Sequence, residues 1–188
     1  MTWIVVDVEA DGPCPGLYSM ISFGAVVVDR DLDKTFYGQV RPITDRWEPK
    51  ALEVVGVTRD EHERPPHRNP ADVMFEFEEW VFLNAGKHCT FISDNPAFDW
   101  QWINYYFHRY VGRNPFGFSA RRIGDLYCGL VKNVKKNNEW KRRFRHTKHT
   151  HHPVDDAKGN AEALLEMKKR GLNIPTRGKS ASTEGGEQ

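Results

Sequence analysis

The chain has 188 residues, enough for one domain with a single hydrophobic core and too few for two domains of ordinary size. Its formal charge of +1 at pH 7 excludes an overall polycation, yet segment 132–152 holds eight Lys or Arg and one acid, so it carries +7 and the remainder −6. The three cysteines are far apart and lack the spacing of redox or zinc motifs, which favours a reducing, cytoplasmic location. The chain does not open on a cationic and apolar leader, and no apolar run approaches the roughly 18 residues that span a bilayer. We therefore expect no membrane partner.

The first forty residues predict three strands. Apolar, β-branched stretches occupy residues 3–8, 21–30 and 35–42, and the connections between them are rich in Asp, Gly and Pro. Short connections of this kind favour an antiparallel meander.

The rest of the chain alternates predicted helices and strands. The predicted elements are an interrupted helix at 47–64, an amphipathic helix at 71–84, a strand at 88–93, a helix at 96–111 capped by Asn95, a short strand at 122–125, a helix at 125–136 and a last helix at 156–170. This order predicts an α/β fold with a mixed sheet, and we expect residues 1–175 to form a single domain. Residues 176–188 lack apolar side chains that could be buried, so they are expected to form a disordered tail.

Two acids end the first predicted strand. Because side chains alternate between the faces of a strand, Asp7 and Glu9 project from one face, while Val6 and Val8 point to the other. Simple solvation would explain two acids at a strand end, since charged residues are mostly exposed. The alternative is that a divalent cation compensates them, because Mg²⁺ prefers hard carboxylate oxygens.

The second cluster is a single acid, Asp99, which lies in the first turn of the helix at 96–111, directly after the fourth strand. The helix dipole stabilises a carboxylate there by under about 1 kcal/mol, which requires no functional role. Yet the loop after a strand's carboxyl end is also where open α/β sheets bind ligands, and Phe98 and Trp100 offer rings on which bases could stack. Aromatic residues at helical spacing are more often core residues, so both interpretations stay open for Phe98.

The third cluster pairs a histidine with an acid. Asp156 opens the last predicted helix, and His151 precedes it by five residues on a loop that contains Pro153. An imidazole titrates near neutrality and can accept a proton from an attacking water. The same stretch contains three further histidines, His146, His149 and His152. They leave two alternatives, a transition-metal site built by the histidine-rich run or His152 acting in place of His151.

Together these residues resemble a known family. The set Asp7, Glu9, Asp99, His151 and Asp156 resembles that of the DEDDh exonucleases, which include ribonuclease T, oligoribonuclease and proofreading exonucleases. The matching motifs are the Asp-x-Glu pair, NPAFD, and a histidine separated from an aspartate by four residues, with GVT at 56–58 and IGDL at 123–126 in support. The likeness covers residues 3–172, and the VEADG opening resembles a bacterial and phage exoribonuclease branch. Asp94 departs from the pattern, because many relatives have His at that point.

The resemblance carries implications for fold and function. It implies a ribonuclease-H-like mixed five-stranded sheet, with three antiparallel strands followed by parallel strands, flanked by helices. It also implies that Asp7, Glu9, Asp99 and Asp156 bind two Mg²⁺ or Mn²⁺ ions and that His151 is the general base. The implied activity is 3′-to-5′ hydrolysis of single-stranded nucleic acid, RNA in preference to DNA, to nucleoside 5′-monophosphates. The alternatives are a DNA exonuclease of the proofreading or repair type and a non-catalytic nucleic-acid-binding module. A homodimer, as in ribonuclease T and oligoribonuclease, is compatible with this short chain.

Two segments beside the predicted site are expected to contact the substrate. Residues 10–20 follow Glu9 directly, so Leu17 or Tyr18 is predicted to wedge against the terminal base. The basic segment precedes His151, and Arg145 and Lys148, together with Arg142 and Arg143, would form a track for phosphates. An ordinary solvated basic loop is the alternative.

Overall fold

A computed structural model describes residues 1–86 and 88–175. The strands are β1 (Thr2–Ala10), β2 (Met20–Val27), β3 (Thr35–Gln39), β4 (Cys89–Ser93) and β5 (Ala120–Arg122). The helices are α1 (Pro49–Val55), α2 (Arg59–His62), α3 (Pro70–Ala85), α4 (Pro96–Tyr110), α5 (Ile123–Val131), α6 (Glu139–Phe144) and α7 (Pro153–Lys169). A short 3₁₀ helix at Val134–Lys136 separates α5 from α6.

The five strands form one mixed sheet in the order β3-β2-β1-β4-β5. The pairs β1–β2 and β2–β3 are antiparallel, whereas β1–β4 and β4–β5 are parallel. The predicted fold class, three antiparallel strands followed by parallel strands with flanking helices, is confirmed. Because β1 is the central strand, its carboxyl end lies in the middle of one edge of the sheet.

Helices cover both faces of the sheet. On one face Ile4, Val6 and Val8 of β1 belong to the hydrophobic core that includes apolar residues of α3 and α4. On the other face Trp3 and Val5 belong to a core formed with α5, α6 and α7. Strand alternation then places Asp7 and Glu9 on the α7 side, where they continue the row begun by Trp3 and Val5.

Two predicted boundaries are wrong. The last helix begins at Pro153 and not at Asp156, because proline suits the first helical position and here continues into a regular turn. The short strand ends at Arg122, and the helix begins at Ile123 and not at Asp125. Ile123 and Tyr127 are both buried, so this short apolar stretch follows helical rather than strand spacing.

The basic segment is more ordered than the predicted loop. Helix α5 ends at Val131, five residues before the predicted end, and Lys132 adopts a left-handed conformation with φ 54°. The segment then forms α6, which was not predicted, and buries Trp140 and Phe144 in the α7-side core. These two residues are spaced as neighbours on one helix face, but the basic residues between them obscure the pattern.

Among the described helices, none combines the length and the apolar composition required to cross a membrane. The predicted disordered tail, residues 176–188, lies outside the described residues.

Candidate active site

Three carboxylates from β1 and α7 converge at the carboxyl end of the central strand. Ligand oxygens of Asp7, Glu9 and Asp156 all lie within 4.8 Å of one another. Gly24 lies opposite Asp7 on β2, and a Cβ there would come within 2.4 Å of the Pro153 backbone carbonyl carbon. The missing side chain therefore lets the start of α7 approach the sheet closely enough for Asp156 to reach the acids of β1.

The loop before α7 wraps around the buried Asp156 carboxylate. Arg145 donates from Nη2 to Oδ1 at 2.8 Å, and the Nδ1 atom of His149 lies 2.8 Å from the same oxygen. The backbone amides of Thr150 and His151 donate to Asp156 at 3.3 and 3.0 Å. Two side chains and two amides thus fix the orientation of this carboxylate.

Asp99 lies beside this cluster but is not one of the three residues whose ligand oxygens lie within 4.8 Å of one another. Its Oδ1 accepts a hydrogen bond from the backbone amide of Val8 at 3.2 Å, which links the first turn of α4 to β1. The side chain is almost fully buried, and its charge raises the pKa values of both Asp7 and Glu9. The predicted side-chain cap by Asn95 is wrong, since Asn95 makes no side-chain cap hydrogen bond and its backbone carbonyl instead accepts from the Asp99 amide at 2.9 Å.

Burial and nearby negative charges raise the pKa values of Asp7, Glu9 and Asp99. Burial, followed by the charges of Asp156 and Asp99, raises the pKa of Glu9 to about 8. Burial raises the pKa of Asp99 to about 7, against backbone hydrogen bonds, such as that from the Val8 amide, that lower it. The pKa of Asp7 lies well above its usual range, mainly through burial and then through repulsion from Asp99. Such a group of hard oxygens fits a divalent cation, which would replace the protons as the compensating charge.

His151, and not His152, faces the carboxylates. Its Nδ1 lies 3.6 Å from Oε1 of Glu9, and its side chain is 42% exposed. The residue has a φ of 58°, a left-handed conformation that non-glycine residues rarely adopt and that tends to occur at functional sites. His152 instead packs against Tyr37 of β3, with ring centroids 4.8 Å apart, and its Nδ1 lies 3.8 Å from Asp155.

The histidine-rich run does not assemble a metal site of its own. Across residues 1–86 and 88–175, the one group of three or more metal-ligating side chains found close together is that of Asp7, Glu9 and Asp156. His149 contacts Asp156 and stacks edge-on against His151 at 4.3 Å between ring centroids. The histidine run therefore lies against the carboxylate cluster. The predicted alternative, a separate transition-metal site, has no structural support among the described residues.

The predicted base-contacting residues differ in their accessibility. Leu17 is 52% exposed at the tip of the loop after β1, while Tyr18 is half-buried and packs over Gly12. Phe98 is half-buried, and its ring lies edge-on to that of the buried Trp102 at 6.1 Å between centroids. Of the two interpretations of Phe98, the structure supports contacts with the core. Phe98 also exposes less of its side chain to a base than Leu17 does.

The two predicted phosphate-contacting residues lie in different environments. Lys148 is exposed and lines a cleft of about 420 Å³ that Asp7 also lines. Arg145 lines the same cleft, but its side chain is only 11% exposed and its guanidinium points inward onto Asp156. A phosphate-binding track on the protein surface would therefore include Lys148 but not the guanidinium of Arg145.

Sequence reasoning missed an exposed tryptophan near the predicted wedge. Trp47 is 43% exposed and borders a cleft of about 320 Å³ together with Tyr18. The guanidinium of Arg59 lies 5.0 Å from the centre of the Trp47 ring, and Arg59 also bonds to Asp11 Oδ2 at 3.1 Å and to the Thr44 carbonyl at 2.7 Å. A tryptophan in an otherwise polar stretch was the one sign of a functional role in the sequence. The contact of its ring with Arg59 could not be predicted, because it depends on the position of α2.

A second missed residue is Asn160, which follows Asp156 by one turn on the same face of α7. Asn160 is buried and lines the cleft shared by Asp7 and Lys148, and its Oδ1 has no hydrogen-bond partner. Its sequence position gave no hint, because one asparagine in a helix is unremarkable without the neighbouring carboxylates.

Known proteins resemble this chain both in sequence and in fold. Residues 2–167 match the family described as the 3′-5′ exoribonuclease Rv2179c-like domain. The 3′-5′ DNA exonuclease Cap18 of Escherichia coli is 40% identical over 130 residues, which cover 68% of each chain. Cap18 is similar enough, over enough of both chains, to indicate common descent.

Solved structures share the fold at lower sequence identity. The nuclease domain of 3′hExo, a DEDDh family member bound to rAMP, superposes with a TM-score of 0.73 at 18% identity, covering 95% of this chain and 97% of that chain. Escherichia coli exonuclease I in complex with a dT13 oligonucleotide gives a TM-score of 0.65 at 17% identity, over 91% of this chain and 41% of the longer one. Cell-death related nuclease 4 gives 0.70 at 17% identity, over 90% of this chain and 64% of that chain. The chain therefore belongs to the family of Rv2179c-like 3′-5′ exoribonuclease domains and is a 3′-5′ exonuclease.

Proposed function

We propose that this enzyme requires divalent cations and removes nucleoside 5′-monophosphates from the 3′ end of single-stranded nucleic acid, with RNA as the preferred substrate. The observation that carries the proposal is the convergence of Asp7, Glu9 and Asp156 within 4.8 Å, with Asp99 beside them and His151 facing Glu9. This combination provides an anionic cation site and a basic group at one place.

The carboxylates Asp7, Glu9, Asp99 and Asp156 would hold two Mg²⁺ or Mn²⁺ ions. Four carboxylates carry as much negative charge as two divalent cations carry positive charge, so the occupied site would be close to neutral. Divalent cations at such a site supply Lewis acidity toward the scissile phosphodiester and neutralise charge on the phosphate. The remaining tasks, orienting the strand and moving the proton, belong to the protein.

His151 is the proposed general base. Its imidazole takes the proton of the attacking water while the water oxygen bonds to phosphorus and the bond to the 3′ oxygen of the preceding nucleotide breaks. Glu9 lies 3.6 Å from Nδ1 and would orient the ring. The exposure of His151 lets it pass that proton to solvent after each cleavage.

The terminal nucleotides would lie along the loop that follows β1. Leu17, which is exposed, would wedge against the last base. Tyr18 and Trp47 border one cleft and would accept a base there by stacking. Phe98 would add its exposed part to this surface. Lys148 and Arg142 line the cleft that Asp7 also lines, and they would present cations to the phosphate backbone.

A DNA substrate is the second candidate. The name of the matching family specifies RNA, whereas Cap18, at 40% identity, is named as a DNA exonuclease. The intact carboxylate set argues against the non-catalytic binding module that the sequence left open. A homodimer stays a prediction, which light scattering of the purified chain tests.

The decisive experiment uses four matched substrates, RNA and DNA single strands of one sequence, each labelled at the 5′ or the 3′ end. In Mg²⁺ or Mn²⁺, 5′-labelled RNA should shorten one nucleotide at a time, and 3′-labelled RNA should release a labelled mononucleotide at once. Chelator and Asp156→Asn should each stop both reactions. Faster cleavage of DNA would assign the second candidate, and activity unchanged by chelator would refute the cation requirement.

A further inference from the structure

The guanidinium of Arg145 points into the protein, onto the carboxylate of Asp156. It bonds to Asp156 at 2.8 Å, and its positive charge lowers the pKa of Asp7 against the repulsion of the other acids. The side chain of Asp156 is 1% exposed. Solvent screens an ion pair of this kind little, because the Asp156 carboxylate is buried and the Arg145 side chain is only 11% exposed.

A glycine in the middle of α7 makes room for this arginine. A Cβ at Gly159 would lie 2.6 Å from Nε and 2.8 Å from Nη2 of Arg145, closer than atoms can approach. Glycine inside a helix lowers helix stability by about 1 kcal/mol relative to alanine, so Gly159 makes α7 less stable. The Arg145 side chain occupies the space that a side chain at position 159 would fill. Gly159 lies about one helical turn after Asp156 on α7.

The backbone on either side of Arg145 is anchored to α7 and the core. Phe144 is buried, with its ring edge-on to Tyr127 at 5.7 Å between centroids. On the other side, the amides of His146 and Thr147 both donate to Glu162 of α7 at 2.8 Å. These contacts aim Arg145 at Asp156 and distinguish it from the exposed basic residues of the same segment.

We propose that Arg145 is a built-in counter-cation of the carboxylate cluster, which competes with a divalent cation for Asp156 and thereby sets the affinity of the site. The inference rests on the proposed function, since it takes the carboxylates as the cation ligands. A cation that binds Asp156 meets the positive charge of Arg145 at close range and must share or displace it. Arg145 is in this sense a positioning residue, which acts on the cation ligands and not on the substrate.

Titration of Mn²⁺ into the full-length chain by calorimetry tests the proposal without an activity assay. Arg145→Gln removes the competing charge, so we expect it to bind Mn²⁺ at least about tenfold more tightly, equivalent to about 1.4 kcal/mol. Arg145→Lys keeps the charge and should stay closer to the wild type. Arg143→Gln is the matched control, because it removes the same charge from a side chain that is 53% exposed and paired with Glu139, and its affinity should not change.

Gly159→Ala provides a second route to the same result. The added methyl group would lie 2.6 Å from Nε of Arg145, so the guanidinium must shift from its present position beside Asp156, while alanine is the better helix former. We expect tighter Mn²⁺ binding, and because this variant keeps the Arg145 side chain it provides an independent test if Arg145→Gln fails to fold. If the wild type binds Mn²⁺ and both variants bind it equally or more weakly, Arg145 does not compete with the cation for Asp156. That result would leave the proposed function intact. A wild type that binds no Mn²⁺ overturns both the competition and the proposed function.

Discussion

Glu9 should make the cation-free enzyme less stable as the pH rises. The unfolded chain loses the Glu9 proton near the ordinary pKa of 4.5, whereas the folded protein keeps it up to about pH 8, because Glu9 is buried beside Asp156 and Asp99. Between these values the folded state binds one more proton than the unfolded state, so the free energy of unfolding falls as the pH rises. Below the lower value both states hold the proton and the effect vanishes.

The size of the effect follows from linkage. One proton difference lowers the free energy of unfolding by about 1.4 kcal/mol per pH unit, so the loss from pH 5 to pH 7 is on the order of 2 to 3 kcal/mol. Glu9→Gln removes the titrating group but keeps the side-chain volume, and all titrating groups far from the site are common to both proteins. The difference between the two pH profiles therefore isolates Glu9 and its coupling to its neighbours.

Urea unfolding in chelator, at about pH 5, 6 and 7, provides the assay. The wild type should lose stability relative to Glu9→Gln across this range, and excess Mg²⁺ should restore more stability to the wild type than to the variant at pH 7. Parallel pH profiles for the two proteins would refute the reasoning, because they would mean that Glu9 is ionised in the folded, cation-free state.

Three further predictions concern catalysis and substrate binding. His151→Ala should lower kcat by about 10²- to 10⁴-fold, the usual contribution of a general base, while His152→Ala should stay within a few-fold of the wild type; equal losses in steady-state assays would contradict the assignment. Trp47→Ala should weaken single-strand binding by about 1 to 3 kcal/mol, measured by fluorescence anisotropy, with Trp47→Phe recovering most of the loss, whereas an unchanged affinity would remove Trp47 from the binding surface. Lys148→Gln should reduce the slope of log affinity against log salt by about 0.7 for a single strand, and an unaltered slope would mean that Lys148 does not contact phosphate.

The sheet and the acids of β1 could be predicted because their signals are local. Alternation along residues 3–9 determines which side chains share a face, and the short loops between the first three strands favour antiparallel pairing. The α7 boundary was missed although its signal is also local, because Pro153 suits the first helical position but was assigned to the preceding loop. Helix α6 was missed because it depends on tertiary packing, which buries Trp140 and Phe144 despite their basic neighbours.

The inner arrangement of the site could not be read from the sequence. Arg145 looked like its basic neighbours, and only the space beside Gly159 and the anchoring of Phe144 direct it onto Asp156. Asp99 was recognised by its motif, but its hydrogen bond to the amide of Val8 joins residues 91 positions apart. Contacts across such separations depend on the assembled fold, which local patterns do not encode.

The most direct test of the central claim is a crystal structure of the enzyme grown with Mn²⁺ and a nucleoside 5′-monophosphate, with Mn²⁺ located by anomalous scattering. We expect Mn²⁺ peaks coordinated by oxygens of Asp7, Glu9, Asp99 and Asp156, with the nucleotide phosphate bound to the same ions. Peaks confined to the histidines of residues 146–152, or a nucleotide bound away from the carboxylates, would contradict it.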